Sequence, residues 1–176
     1  MIISKAITNN KIKCKYYFCD IHGLIDFFKI NEKLIYSFEN IMKIHRPTDT
    51  NFVYTKIFNE DIIVYHMYGF VVLYQLIYNP VNFEIITVGR IGINKEMADF
   101  SMVHTNINYR NQKFCQKNIN LFINNINKIK NYKKTIKKFS LSVLENNFPA
   151  IKCYENCGFV IKSTKKNHHQ MEKINN

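Results

Sequence analysis

The spacing of apolar residues changes along the chain and divides it into segments of different secondary structure. The first fifty residues mix apolar and polar positions, which favours two short helices over residues 22–29 and 32–43, with Pro47 closing the region. From residue 52 to residue 107, β-branched and aromatic runs are separated by short polar or Asn-Pro segments. This pattern predicts an antiparallel meander built from the runs VYTKIF, IIVYHMY, FVVLYQLIY and EIITVGRIGI.

Helical spacing returns in the second half of the chain. Apolar residues recur four and three positions apart and predict a long amphipathic helix over residues 111–130. Residues 139, 141 and 143 then alternate with serines, as in a strand with two unlike faces. A short helix over residues 148–156 follows, with Asn147 as its N-cap and Gly158 after its end. Two strands, 160–163 and 170–174, complete a mixed α/β arrangement.

The composition limits the class of protein. The 176 residues fit a single domain, 1–176, and 25 basic against 13 acidic residues give a formal charge of +12. Nucleic acid, a membrane surface and a polyphosphate cofactor are the anionic partners that fit this charge. An excess of Asn, Lys and Ile, typical of AT-rich coding sequence, explains part of it without any partner.

Five cysteines with no CxxC pair indicate reduced thiols and neither a disulfide framework nor a metal site. The apolar stretch 62–78 is broken by His66, Gly69 and Gln75 and is too short for a membrane span. The amino terminus lacks a secretory hydrophobic segment. These features predict a cytoplasmic protein that does not associate with a membrane.

The segment 141–159, LSVLENNFPAIKCYENCGF, carries the most specific pattern in the chain. It resembles the second signature of the GNAT acetyltransferases: an L-x-V strand, an Asn, an Ala three residues later, a Tyr four further, and a closing Gly-Phe. All seven positions occur at the family spacing: Leu141, Val143, Asn147, Ala150, Tyr154, Gly158 and Phe159. The competing interpretation is that Tyr154 is only a packed aromatic residue on an amphipathic helix.

This resemblance covers residues 62–174 and implies both a fold and an activity. The implied fold is a mostly antiparallel central sheet flanked by helices, with one splayed pair of central strands. The implied activity is transfer of the acetyl group of acetyl-CoA to a primary amine by direct attack. Tyr154 would protonate the departing coenzyme A thiolate, and Asn147 and Ala150 would lie beside the cofactor. Residues 1–50 would contribute helices on the acceptor side.

The first family signature, [Q/R]-x-x-G-x-[G/A], has its counterpart at residues 110–115, RNQKFC. Backbone N–H groups there and at the helix start would bind the pyrophosphate, which involves Arg110, Asn111, Gln112, Lys113, Phe114, Cys115 and Gln116. Lys113 and Cys115 replace the small residues of the signature. Either the Lys113 ammonium adds charge to the diphosphate site, or the loop is degenerate and the cofactor binds weakly.

The strand before this loop, residues 99–108, corresponds to the family's central splayed strand. The resemblance implies that Val103, His104 and Thr105 offer backbone groups to the pantetheine arm. Asp99 occupies the position of a general base, and His104 and His66 are alternatives because imidazole titrates near neutrality. None of these candidates is a metal ligand.

The acceptor is less well defined than the cofactor. The fold serves small amines, amino sugars, protein N-termini and lysine side chains, and we expect a small molecule rather than a protein. The basic charge favours an anionic acceptor such as a nucleotide-linked amino sugar. The alternatives are a basic nucleic-acid-binding protein, which no known motif supports here, and a non-catalytic acyl-CoA-binding protein. The sequence is compatible with a monomer or a homodimer.

Overall fold

The computed structural model describes residues 3–9, 12–45 and 71–175. In this part of the chain eight strands form one sheet, in the order β1-β2-β3-β4-β5-β6-β8-β7. The strands are β1 (Ile3–Asn9), β2 (Ile12–Asp20), β3 (Val71–Asn79), β4 (Glu84–Asn94), β5 (Met97–Thr105), β6 (Lys138–Leu144), β7 (Val160–Lys165) and β8 (His168–Ile174). The helices are α1 (Ile21–Ile30), α2 (Ile35–His45), α3 (Phe114–Lys128), α4 (Lys130–Thr135) and α5 (Phe148–Asn156).

Neighbouring strands pair antiparallel except at one place, where β5 lies parallel to β6. That parallel pairing covers four positions and stops at Phe100 opposite Leu141. β5 nevertheless stays paired with β4 as far as Thr105. Among the described residues, the outer part of β5 therefore pairs with a strand on one side only, which is the splayed pair that the resemblance implies.

A bulge in β5 lies at the point of separation. Ile91 of β4 pairs with Phe100 and Arg90 pairs with Met102, which leaves Ser101 as an extra residue. Residues two apart in a regular strand face the same side, but here Phe100 packs beneath α3 and Met102 packs beneath α1 and α2. The extra residue therefore turns the strand where β6 leaves it.

Each face of the sheet carries its own apolar core. Phe28 and Phe38 of α1 and α2 pack together on one face, with ring centroids 5.0 Å apart. On the other face, α3 and α5 cover a cluster that includes Phe122, Phe139 and Phe159. Because α3 and α5 share this second face, the two segments with family signatures lie on the same side of the sheet.

Most of the predicted elements are confirmed. The short helix occupies Phe148–Asn156, the residues predicted, and its Asn147 side chain accepts the Ala150 N–H. The strand around residues 139–143, the last two strands and the two early helices are also present. The runs VYTKIF and IIVYHMY, and with them His66, lie outside the described residues.

Three predictions were wrong in detail. The hairpin β1–β2 was missed, although residues 13–16 alternate between exposed and buried as a strand does. The long helix begins at Phe114 and not at residue 111, because Asn111 and Lys113 adopt left-handed backbone angles that a helix excludes. The central strand ends at Thr105, and a short 3₁₀ turn, Ile107–Tyr109, replaces its predicted end.

The two glycines of β4 give a test of how closely α3 packs on the sheet. A Cβ atom at Gly89 would lie 2.6 Å from Asn118 Oδ1 and 2.9 Å from Phe122 Cδ2, whereas a Cβ at Gly92 meets nothing within 4 Å. We expect Gly89→Ala to lower the free energy of unfolding by about 1–3 kcal/mol through overpacking. Gly92→Ala should change it by less than about 1 kcal/mol. Urea denaturation of both variants measures the difference, and equal losses would contradict the close packing of α3.

Candidate functional site

The separation of β5 from β6 leaves a gap lined by backbone groups. The Asn106 N–H donates to the Ile86 carbonyl at 2.9 Å, so the backbone at position 106 faces β4. Since successive residues of a strand direct their N–H and C=O groups to alternate sides, Val103 and Thr105 direct theirs away from β4. These two residues, rather than His104 between them, therefore direct backbone groups to the gap, where the Thr105 carbonyl accepts a hydrogen bond of 3.4 Å from Arg110 Nε.

The loop after β5 shapes the start of α3. Asn111 has a φ of 59° and Lys113 a φ of 60°, both in the left-handed region. No side chain in the described ranges caps the helix at Lys113, and the N–H groups of Phe114, Cys115 and Gln116 have no acceptor within the helix. Backbone N–H groups gathered by alternating left- and right-handed residues at a helix N-terminus suit an anion.

The loop is anchored by side chains beneath it. Phe114 is buried against the ring of Tyr109, with the ring centroids 6.0 Å apart. The Tyr109 hydroxyl in turn donates to Glu84 Oε2 at 2.7 Å. The side chain of Phe114 is therefore unavailable to a ligand, whereas Arg110 and Lys113 are exposed cations. The sequence did not reveal that Glu84 accepts this hydrogen bond, because it lies 25 residues before Tyr109.

Tyr154 lies in the buried face of α5. Its ring centroid is 6.3 Å from that of Phe159, which is 6.1 Å from that of Phe100, the last residue of β5 before the gap. Burial, with a smaller contribution from the Cys157 thiol, raises the pKa of Tyr154 from its ordinary value of 10.0 to about 12. Among the described residues, no group hydrogen-bonds to its hydroxyl. The phenol therefore stays protonated at neutral pH and has a proton to donate.

A disulfide bond joins Cys115 in the first turn of α3 to Cys153 of α5, with the two Cα atoms 6.3 Å apart. The expectation that the thiols are reduced is wrong for this pair, because sequence spacing does not reveal which residues two packed helices bring together. Cys157 Sγ also lies 3.9 Å from the Gln116 carbonyl oxygen. The loop near residue 110 and the Tyr154 helix are therefore neighbours on one face of the sheet.

Asp99 lies on the other face. Its neighbours Ala98 and Phe100 pack beneath α3, so the Asp99 side chain points to the opposite side of the sheet, where it is exposed. Its Oδ1 accepts a hydrogen bond of 2.7 Å from Ser140 Oγ of β6. This pair joins β5 and β6 one position before their pairing ends. Asp99 and Tyr154 therefore lie on opposite faces of the sheet, close to where β5 and β6 separate.

A cleft of about 690 Å³ opens between α2, the turn from β3 to β4, and the end of β5. The buried side chain of His104 lines it, as does Arg110. Lys33 Nζ lies 4.6 Å from the centroid of the Phe83 ring at its edge. The sequence contains no motif for this cleft, because its walls come from three segments that are distant in the chain.

Within the described ranges, no helix has both the length and the apolar character needed to cross a membrane. The same residues bring together no group of three His, Cys, Asp or Glu side chains that could hold a metal ion.

Neither a protein-family profile nor a curated protein sequence matches the chain. Its fold, however, is similar to those of several solved acetyltransferases. A ribosomal-protein-S5-alanine acetyltransferase from Vibrio fischeri has a TM-score of 0.67 over 99% of this chain and 97% of that chain, with 12% identity. PaiA N-acetyltransferase from Thermoplasma acidophilum, solved with coenzyme A, has a TM-score of 0.57 over 90% and 98%, with 17% identity. A spermidine N-acetyltransferase from Vibrio cholerae, solved with CoA and spermine, has a TM-score of 0.57 over 99% and 95%, with 16% identity.

The chain thus has the fold of the GNAT N-acetyltransferases, as the segment 141–159 predicts. At identities of 12–17% this similarity establishes the fold alone.

The disulfide gives a prediction on stability. Because it closes a loop between residues 38 positions apart, Cys115→Ser is expected to lower the free energy of unfolding by about 2–4 kcal/mol without reductant. Cys153→Ser should give the same loss, and the double variant no more than either, since all three remove one bond. Urea denaturation measures the effect. Wild-type protein with dithiothreitol is the control and should show the same loss, whereas five reactive thiols in the untreated, denatured chain would contradict the bond.

Proposed function

We propose that the protein is an acetyl-CoA-dependent N-acetyltransferase that acts on a primary amine. The observation that carries the proposal is the arrangement on one face of the sheet. There, the uncapped start of α3 and the protonated Tyr154 lie on helices joined through Cys115 and Cys153, beside the gap between β5 and β6. Two similar folds, PaiA and the spermidine N-acetyltransferase, were solved with coenzyme A, which supports the same cofactor here.

The residues present fit coenzyme A by the chemistry of their groups. The N–H groups at the start of α3 suit its diphosphate, and Arg110 adds an exposed positive charge. The backbone groups of Val103 and Thr105 suit the amides of its pantetheine arm, which would take the place that β6 vacates. When bound, acetyl-CoA supplies the acetyl group as a reactive thioester.

Lys113 does not prevent this assignment. It adopts the left-handed conformation that a glycine reaches more easily, at a cost of about 1–2 kcal/mol. The loop N–H groups thus take up an anion-binding arrangement without a glycine, and the Lys113 side chain is exposed. We therefore favour the alternative in which its ammonium adds charge to the diphosphate site over the alternative of a degenerate loop.

The reaction needs two proton transfers, and each is assigned to a side chain on a different face of the sheet. Tyr154, protonated well above neutral pH, donates a proton to the departing thiolate on the α5 face. The Asp99 carboxylate, held by Ser140, accepts a proton from the amine on the other face. Attack through the gap would keep the acid and the base apart, so neither neutralises the other.

We propose the cleft beside α2 as the site of the acceptor, and an anionic small molecule such as a nucleotide-linked amino sugar as its class. Lys33 and Arg110 supply positive charge at its walls. Glu84, the one carboxylate that the described residues place at its edge, accepts hydrogen bonds from Tyr109 at 2.7 Å and from Asn106 at 2.9 Å. These bonds hold the Glu84 side chain against Tyr109 and Asn106 at the wall of the cleft.

The proposed role of Tyr154 predicts that removing its hydroxyl lowers kcat without weakening the binding of acetyl-CoA. Tyr154→Phe is expected to lower kcat by about 10²–10⁴ because the general acid is removed. The Kd for acetyl-CoA should stay within about twofold, since the ring remains. Thiol release measures kcat and calorimetry measures Kd, with Tyr132→Phe on α4 as the control. Because burial raises the pKa of Tyr154 to about 12, the phenol stays almost fully protonated through pH 10, and the wild-type rate should show no loss from Tyr154 ionisation between neutral pH and pH 10.

An unchanged kcat in Tyr154→Phe would point to the non-catalytic alternative. A wild-type chain that does not bind acetyl-CoA would refute the proposed function altogether.

The proposed class of acceptor predicts that loss of a cation from the cleft weakens the binding of the acceptor and leaves the binding of acetyl-CoA unchanged. Lys33→Ala is expected to raise the KM for a nucleotide-linked amino sugar by about tenfold through loss of one charged contact, with the Kd for acetyl-CoA unchanged. Lys130→Ala, an exposed lysine on α4 outside the cleft, serves as the control. Steady-state thiol release with the amino sugar and with spermine tests the class. A preference for spermine, together with an unchanged KM in Lys33→Ala, would contradict an anionic acceptor.

A further inference from the structure

The interface between α3 and the sheet contains a chain of polar side chains in an otherwise apolar layer. Gln75, Thr87 and Asn118 are 0% exposed, and Asn125 is 1% exposed. They come from β3, β4 and two positions of α3. Burying such groups is unfavourable unless each finds a hydrogen-bond partner, so their bonds require an explanation.

The bonds run from β3 through α3 to β5. Gln75 Nε2 donates to the backbone carbonyl of Asn118 at 2.7 Å, and Gln75 Oε1 accepts from Asn125 Nδ2 at 3.0 Å. Asn118 Nδ2 donates to Thr87 Oγ1 at 3.2 Å, and the Thr87 hydroxyl donates to the backbone carbonyl of His104 at 2.5 Å. Asn125 Oδ1 is the one buried side-chain oxygen in the described residues without a partner.

Gly89 makes this chain sterically possible. It faces Asn118 across the interface, where any Cβ would come within 2.6 Å of Asn118 Oδ1. The missing side chain lets the α3 amide reach the Thr87 hydroxyl on the same strand. The close approach and the hydrogen bonds therefore depend on the same residue.

The chain of polar side chains ends at the backbone carbonyl of His104, next to the gap. His104 lies between Val103 and Thr105, whose backbone groups face the gap, in the part of β5 where no described strand pairs on that side. The Thr87 hydroxyl on the His104 carbonyl restrains the peptide plane that joins His104 to Thr105, which also carries the Thr105 N–H. The same chain of polar side chains also binds α3 at Asn118. Asn118 lies in the second turn of the helix, and the N–H groups that suit a diphosphate lie in the first turn.

We propose that Thr87 and Asn118 are positioning residues that fix the pantetheine-facing part of β5 relative to the diphosphate-binding start of α3. This inference rests on the proposed function. Apolar side chains of the same shape could fill the interface with little change in stability, because a pair of buried hydrogen-bonding groups contributes little net free energy. Directional bonds, unlike apolar contacts, set one position of the helix along the strand. The two parts of the cofactor site would then be held at a fixed separation.

The test compares Thr87→Val, which has the shape of threonine without its hydroxyl, with Thr87→Ser, which keeps the hydroxyl. Thr87→Val is expected to raise both the Kd and the KM for acetyl-CoA by about 3- to 10-fold, the effect of one lost hydrogen bond. Thr87→Ser should stay within about twofold, and the KM for the acceptor should not change in either. Calorimetry and steady-state kinetics give these values, and melting curves confirm that both variants are folded at the assay temperature.

Equal affinities of Thr87→Val and Thr87→Ser for acetyl-CoA would overturn the inference while the wild type still binds the cofactor. A parallel rise in both KM values would also overturn it, because a general loss of structure affects both substrates. A wild type that binds no acetyl-CoA would refute the proposed function and this inference with it. If Thr87→Val does not fold, Thr87→Ala, which removes both the hydroxyl and the γ-methyl group and adds no atom, carries the same expectation.

Discussion

The site depends on the separation of β5 from β6. A parallel pair that continued past Phe100 and Leu141 would satisfy the backbone groups of β5 within the sheet and leave nothing for a ligand. The extra residue at Ser101 turns β5 at this point, and in the part of the chain that the structure describes only β4 pairs with the strand beyond it. Unpaired backbone groups in a sheet can hydrogen-bond to a further extended segment, which is called β-augmentation. The pantetheine arm of a cofactor is a ligand that can bind in this way.

The surrounding structure holds α3 firmly against this gap. Gly89 allows the helix to approach the sheet, Phe114 anchors its first turn, and Cys115 links it covalently to α5. The groups offered at the start of α3 belong to the backbone, so the side chains of the loop are free to vary. This explains why Lys113 can replace a glycine: the conformation is what the site requires, and neighbouring contacts support it.

The two faces of the sheet have different electrostatic environments at the same point. On the face covered by α3 and α5, burial keeps the Tyr154 phenol neutral. On the other face, the exposed Asp99 carboxylate and the cleft beside α2 are open to solvent. In the proposed mechanism these two surroundings would hold the general acid and the general base apart. The net charge is +12, but for ligand binding the positions of the cations at the loop and the cleft are more important than the total charge.

Local sequence signals determined the elements whose causes are local. The cap at Asn147, the helix to residue 156 and the alternation in β6 follow from neighbouring residues, so the GNAT-like segment could be read from the chain alone. Only the tertiary structure decided contacts between distant segments: the Cys115–Cys153 bond, the polar chain through Asn118 and the cleft beside α2. The physical reason is that a cap or a periodic face is set by residues within one or two turns. Which two side chains meet across packed helices and strands depends instead on the whole fold, and no spacing in the sequence encodes it.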